Sequence, residues 1–314
     1  MSNEGFRHTY MMKCLQLAWI FLKLWTLILY SVAQGARMDE KLGEIVQIAA
    51  NIYGSDISKY DDMFLKQVAE KRFAFANVAT ISGYAQYVSN NPDEAGGFLQ
   101  SLNITHTDFF RNPLTFAQLE QWILPSLLEN KPEASELRIW SAGCSSGQEP
   151  YSIAMLVEDI HTRKSKSLRY RIIATDISES ALLLATKGEY REDEIQRIRV
   201  KDLRDFFIKT GDTYTVSDRL KQHVGFSTYD LLDTRYSCPQ ESIFGNFDLV
   251  VCSNMLFYYK PNHQQYIVRK LIDSMDRFGY LVTGEAERHI VENFNELYQV
   301  APPSPIYKKR RGVR

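Results

Sequence analysis

The sequence predicts an α/β protein: a small all-helical N-terminal domain, then a doubly wound, Rossmann-like parallel sheet with a small β-subdomain inserted into it. Three observations carry this. Residues 38–108 show helical periodicity and little strand signal. From Leu137 onward, short apolar runs alternate with amphipathic stretches in the order β-α-β-α-β-α-β, the pattern of parallel strands joined by crossover helices. Between Lys201 and Phe226, short alternating segments around T-G-D-T-Y-T-V read as a hairpin that interrupts this order. The expected boundaries are 1–37 for an apolar extension, 38–108 for the helical domain and 109–314 for the α/β domain, with the insertion at about 201–226.

Taken in order, Ile45, Ile48, Ala49 and Ile52 recur at helical spacing until Tyr53-Gly54 stops the run. A second helix follows Asp61, with Met63, Phe64, Val68 and Phe73 as its apolar positions, and a third covers Gly83 to Val88 before Asn90-Asn91-Pro92. In the α/β region, 137–142 is a short apolar strand, followed by a glycine loop and a helix whose first turn holds Pro150. The next strand, 170–175, ends at Asp176; Ser178 caps the following helix and Gly188 closes it. Residues 247–252 form a buried strand, Asn262 caps a helix carrying Ile267, Leu271, Ile272 and Met275, and 280–283 is a further strand.

Composition excludes several classes. Hydrophobic residues are 45% and charged residues 24% of 314, ordinary for a globular chain with a core, which argues against disorder, collagen and a multi-span membrane protein. Lys+Arg number 37 against Asp+Glu 38, so there is no basic field for nucleic acid. Cys14, Cys144, Cys238 and Cys252 form no CxxC pair, which reads as free thiols in a reducing, cytoplasmic compartment, and no metal site is expected. Leu15 to Ala33 is apolar apart from Gln16, Lys23 and hydroxyl side chains. It reads, in descending order, as an over-extended start before Met38, a membrane anchor, or an export signal; as an anchor, Lys23 would cost about 2.5–3.5 kcal/mol at the bilayer centre.

The loop W-S-A-G-C-S-S-G-Q-E-P-Y, at the carboxyl end of the first strand, lies where doubly wound sheets bind ligands. Gly143 and Gly147 allow a tight turn, but the spacing is G-x-x-x-G rather than the dinucleotide G-x-G-x-x-G. Glu149 would repel a pyrophosphate and suit a cation, and Asp176 can accept hydrogen bonds from both ribose hydroxyls. A positively charged nucleoside is the ligand these residues favour, and S-adenosylmethionine fits.

The ordered motifs resemble the CheR-type chemotaxis receptor methyltransferases, from about Leu102 to Lys308. They are Thr107-Asp108-Phe109-Phe110-Arg111; S-A-G-C-S-S-G-Q-E-P-Y-S; A-T-D-I at 174–177; G-E-Y at 188–190; F-D-L-V-V-C-S-N-M-L-F-Y-Y at 247–259; and I-Y-K-K at 306–309. The resemblance implies methyl transfer from S-adenosylmethionine to glutamate carboxylates on the cytoplasmic helices of chemoreceptors, leaving S-adenosylhomocysteine. It implies cofactor contacts from Thr105, Thr107, Arg111, Gly143, Glu149 and Asp176, with Asp230-Leu231 by the adenine and Cys252-Ser253 near the methionine end. Arg111 and Tyr258 would be catalytic, Tyr258 facing the transferred methyl. Membrane contact would come only through the receptor or residues 15–33.

The chain departs from the family pattern at Thr105 (commonly Asn), at Asp230 (usually Asn), at Ser253, where the family has Arg, and at Gly284-Glu285-Ala286-Glu287, where it has G-x-S-E. Residues 38–108 hold five Lys/Arg and ten Asp/Glu, an awkward charge for meeting an acidic receptor helix. Two other readings therefore stand beside the first: a catalytically weak, cofactor-binding regulatory protein, and a carboxyl methyltransferase with a different acceptor.

Overall fold

In the computed structural model, residues 40–54, 56–102, 106–132, 135–164, 169–242 and 245–310 are described. The segment Leu15–Ala33 and Thr105 lie outside them. The chain divides into two compact units, Met1–Leu102 and Asn103–Arg314.

The first unit is helical: α1 (40–53), α2 (Asp62–Ala76), α3 (Ile81–Asn90) and α4 (Pro92–Ser101). Each start has a local cause. Asp61 accepts the N–H groups of Met63 and Phe64 at 2.9 and 3.2 Å, and Thr80 accepts that of Gly83 at 3.1 Å, satisfying donors that a helix leaves open. Pro92 opens α4, where a missing N–H costs nothing. Leu65, Val68, Tyr84, Val88 and Phe98 are buried, whereas Met63 and Ile52, expected among the apolar contacts, are exposed at 61% and 44%. Arg72 clamps Glu94 through two bonds of 2.7 Å, and the Tyr84 hydroxyl donates to the same carboxylate at 2.7 Å. That ion pair is the polar core of the unit.

The second unit begins with α5 (Pro113–Gln118) and α6 (Leu124–Asn130), joined by a π-helical turn over Leu119–Ile123. Then come β1 (Glu136–Ala142), α7 (Gln148–Lys164), β2 (Arg169–Asp176), α8 (Glu179–Lys187) and β3 (Glu189–Arg191). They are followed by α9 (Val200–Phe206), β4 (Phe207–Thr210), β5 (Thr213–Val216), α10 (Asp218–Lys221) and β6 (Val224–Thr228). The unit closes with β7 (Phe247–Cys252), α11 (Pro261–Ser274), β8 (Met275–Thr283), α12 (Arg288–Val291), β9 (Leu297–Gln299) and β10 (Ile306–Lys309).

Seven strands make one sheet in the order β6-β2-β1-β7-β8-β10-β9; β6 through β8 run parallel and β10 and β9 antiparallel. Order reverses on either side of β1, the switch point at which such sheets open a ligand crevice. All six residues of β7 are buried, as expected of a strand covered on both faces. The expected α8 caps are present: Ser178 accepts from Ala181 N–H at 3.3 Å, and Gly188 takes a left-handed φ of 61°. The start of α11 differs. Its cap position is Lys260 and Pro261 leads the helix, so proline's fixed φ sets the start rather than Asn262.

β3, β5 and β4 form the small antiparallel sheet. The hairpin expected inside 201–226 is β4–β5; the small sheet also takes β3 from before that range, while Val224–Thr228 is the edge strand of the large sheet. Phe109 joins the insertion to the main core, meeting the Tyr190 and Phe207 rings edge-on at 4.9 and 5.8 Å.

Candidate active site

The parallel strand order sets the candidate residues in a row along one rim. Asp230 follows β6, Asp176 ends β2, Gly143 opens the loop after β1, Cys252 ends β7, and Glu287 lies beyond β8. Neighbouring strands sit about 4.8 Å apart, so the rim from β6 to β7 accommodates a ligand roughly 14 Å long.

The loop after β1 is wound by three left-handed residues, Gly143 (φ 79°), Ser145 (φ 49°) and Gly147 (φ 94°). A Cβ on Gly147 would come within 3.0 Å of both Ala185 Cβ and the Tyr190 hydroxyl, so glycine there is a matter of space as well as dihedral. The loop is tied down at several points. Gly143 and Cys144 N–H groups donate to the Thr175 carbonyl at 2.8 and 2.9 Å, Ser145 N–H to Asp176 Oδ2 at 2.8 Å, and the Tyr190 hydroxyl to the Ser146 carbonyl at 2.7 Å. Asp176 Oδ1 also accepts from Ser178 N–H at 2.9 Å, which fixes the orientation of its carboxylate at the rim.

At the β6 end, a cavity of about 320 Å³ is lined by Ile177, Thr228, Tyr229, Asp230 and Arg235 among others. Asp230 Oδ1 accepts from Leu232 N–H at 2.8 Å and Leu231 is buried. Beneath it, the buried Lys270 ammonium donates to the Tyr229 hydroxyl and the Asp233 carbonyl, pinning the loop that forms the cavity wall.

At the β7 end, Arg111, Ser253 and Glu287 lie within electrostatic reach of Glu149, and Arg111 and Glu287 within reach of Tyr258. Glu149, in the first turn of α7, accepts from the Ser141 hydroxyl at 2.7 Å, with Ser253 near enough to favour its ionised form. Burial, offset in part by the Ser141 bond and reinforced by the Glu287 charge, pushes its carboxyl up to about 7. Burial also raises Tyr258, which Arg111 partly counters. Burial and the neighbouring carboxylates push the Cys252 thiol well up, so it is a neutral packing group rather than a nucleophile.

Arg111 follows Phe110, a left-handed residue (φ 51°) whose N–H is held by Ser152 Oγ at 3.1 Å; the guanidinium donates to the His106 carbonyl at 3.0 Å. Thr107 is partly buried on the same segment.

Glu287 was not a sequence candidate. It is fully buried, and its two oxygens accept four backbone N–H groups: Gly284 at 2.6 Å, Asn254 at 3.0 Å, Met255 at 2.7 Å and Leu256 at 2.6 Å. Motif spacing marked the position only as the end of a variant G-x-S-E; burial and the four donors are visible in three dimensions alone.

The donor set fits a nucleoside bearing positive charge. Carboxylates stand at the ends of β2 and β6 and at the head of α7, and no lysine lies among the rim candidates for a phosphate. Among the described residues no cluster of His, Cys, Asp and Glu could hold a metal ion, and no helix is long and apolar enough to cross a membrane.

Residues 105–303 match a family model described as CheR methyltransferase, SAM binding domain. A chemotaxis protein methyltransferase of Listeria monocytogenes is 30% identical over 235 residues, covering 75% of this chain and 85% of that one. That of Borreliella burgdorferi is 29% identical over 281 residues, covering 86% and 94%. Among solved structures, magnesium protoporphyrin IX methyltransferase of Synechocystis PCC 6803 covers 69% of this chain and 70% of its own, at 15% identity and a TM-score of 0.30.

Proposed function

The chain belongs to the CheR methyltransferase family and is an S-adenosylmethionine-dependent methyltransferase; from that premise we propose that it esterifies glutamate carboxylates on the cytoplasmic helices of chemoreceptors. The observation that carries the reading is the cluster of Arg111, Glu149 and Tyr258 at the β7 end of a rim whose other end offers Asp176 and Asp230. When bound, the cofactor supplies an electrophilic methyl group on a sulfonium.

Asp176, already oriented by two backbone N–H bonds, accepts from the ribose hydroxyls, and Asp230-Leu231 flank the adenine. The loop from Gly143 passes beneath the chain of the nucleoside, and Glu149 in its ionised form faces the positive end. Cys252 and Ser253 border the methionine end, and Thr107 closes the site from the Arg111 segment. Thr105, outside the described residues, is proposed as a further cofactor contact.

An acceptor glutamate is ionised near neutral pH, so no base is needed. Held by Asp176, Asp230 and Glu149, the cofactor would supply the methyl group to the acceptor oxygen, and its sulfur would keep the bonding pair. What the protein supplies is alignment in a site short of water. Arg111 is suited to holding a planar carboxylate through paired donors, and Tyr258 to directing one of its oxygens.

The test combines purified protein, a receptor cytoplasmic fragment and methyl-labelled cofactor. Base-labile label on receptor glutamates is the expected result. Asp176→Ala should weaken cofactor binding about 10- to 100-fold, the worth of hydrogen bonds to a charged group. Cofactor binding without any transfer to receptors would favour the regulatory reading. Transfer only to small carboxylic acids would favour another acceptor.

A further inference from the structure

We infer that Glu287 is a positioning residue for methyl transfer: from inside the fold its carboxylate holds the Asn254–Leu256 turn, and through that turn sets Ser253 beside Glu149 and Tyr258 beside Arg111. The inference rests on the proposed reaction for its kinetic consequence but not for its structural one.

The geometry is unusual for a buried acid. Among the described residues Glu287 bonds no cation; burial raises its carboxyl, and four backbone N–H groups, three of them consecutive in the chain, favour its ionised form. The turn that aims these consecutive donors at one group opens at Asn254, which is left-handed with φ 62°. A residue in that region bears a backbone cost that persists only where its surroundings hold it. The carboxylate is that hold. The turn sits between Ser253, which stands beside Glu149, and the short 3-10 turn Leu256–Tyr258, so its shape fixes both ends.

Glu287 has a second effect through charge. The groups facing Glu149 are Arg111 from the segment before α5, Cys144 from the glycine loop, Cys252 from the end of β7, and Glu287 from beyond β8. Of these, Glu287 is the other buried carboxyl, and it favours the protonated form of Glu149. A rigid scaffold and an electrostatic setting therefore share one side chain.

Two variants separate these effects. Glu287→Gln keeps the shape but removes the charge and turns an amide N–H₂ toward backbone donors. Gly284→Ala keeps the charge but inserts a Cβ that would lie 2.8 Å from Glu287 Oε2 and 3.0 Å from Asn254 N, forcing turn and carboxylate apart. Gly284 has φ −76°, so alanine brings no backbone strain of its own.

Amide hydrogen exchange of the full chain, without cofactor, should show the Asn254, Met255 and Leu256 amides exchanging faster in both variants. With receptor fragment, both should lose about tenfold or more in kcat while the KM for cofactor changes little, as expected when a reacting group is slightly misplaced. Calorimetric titration with S-adenosylmethionine across pH should move its midpoint to lower pH in Glu287→Gln and leave it in place in Gly284→Ala. Wild-type exchange rates or wild-type kcat in a folded Gly284→Ala protein would overturn the inference, and that variant decides alone if Glu287→Gln does not fold. Should the wild-type protein transfer no methyl to receptors, the reaction reading falls while the exchange rates and the pH midpoint still judge Glu287.

Discussion

Glu149→Gln makes the energetic cost of the site measurable in the ligand-free protein. Folding lifts this carboxyl from an ordinary 4.5 to about 7, chiefly by burial. Between those values the folded chain binds more protons at Glu149 than the unfolded chain does, so this residue's contribution to stability falls as pH rises. A rise of ~2.5 pH units corresponds to roughly 3 kcal/mol, fully felt above pH 7 and absent below about 4.5. Residual exposure of the side chain makes that an upper figure. Glutamine at this position does not titrate, and every other group cancels between the two proteins. Denaturant unfolding at pH 5 and pH 8 should therefore show the glutamine variant gaining on wild type with rising pH, by up to roughly 3 kcal/mol. Cofactor binding should run the other way: if the ionised form faces the cofactor's positive end, wild-type affinity should be about 30-fold weaker at pH 5.5 than at pH 8. A stability difference independent of pH, or one that turns against the variant at pH 8, would refute the reasoning.

Ser253→Arg places a permanent cation beside Glu149; it should lower the Glu149 pKa and flatten the pH dependence of cofactor binding between pH 5.5 and 8, read by calorimetry. Tyr258→Phe should leave cofactor affinity within about twofold and lower kcat by about tenfold or more, the worth of one directed hydrogen bond to a charged acceptor; unchanged turnover would remove Tyr258 from the reaction. Ser178→Ala removes the α8 cap and should cost about 1 kcal/mol of unfolding free energy without altering kcat.

The sequence revealed the elements whose cause is local. The Ser178 and Gly188 ends of α8, the apolar run of β7 and the glycine loop after β1 are each written in a few adjacent residues. β6 was missed as a strand because V-G-F-S-T is short, holds a glycine and lies at an edge, where neither alternation nor continuous apolarity is demanded. β9 has three residues, too few for any period to register. At the site, Asp176 and Glu149 were legible because strand ends and helix heads are fixed positions in this fold class. Glu287 was not, because its significance is a set of backbone donors contributed by residues some thirty positions earlier in the chain.

The small sheet is spliced into the glycine loop after β1 as well as into the chain. Tyr190 belongs to its edge strand, yet its hydroxyl holds the Ser146 carbonyl and stands where any side chain at 147 would go, while Phe109 fills the seam. The insertion is therefore no interchangeable cassette. A chimera that borrowed the subdomain of a distant relative would also have to import a tyrosine at 190 and keep glycine at 147, or it would redraw the loop after β1 along with the small sheet. β4 is tied in as well, through Phe207 against Phe109, so the first two links of the insertion to the core and the loop after β1 have to change together.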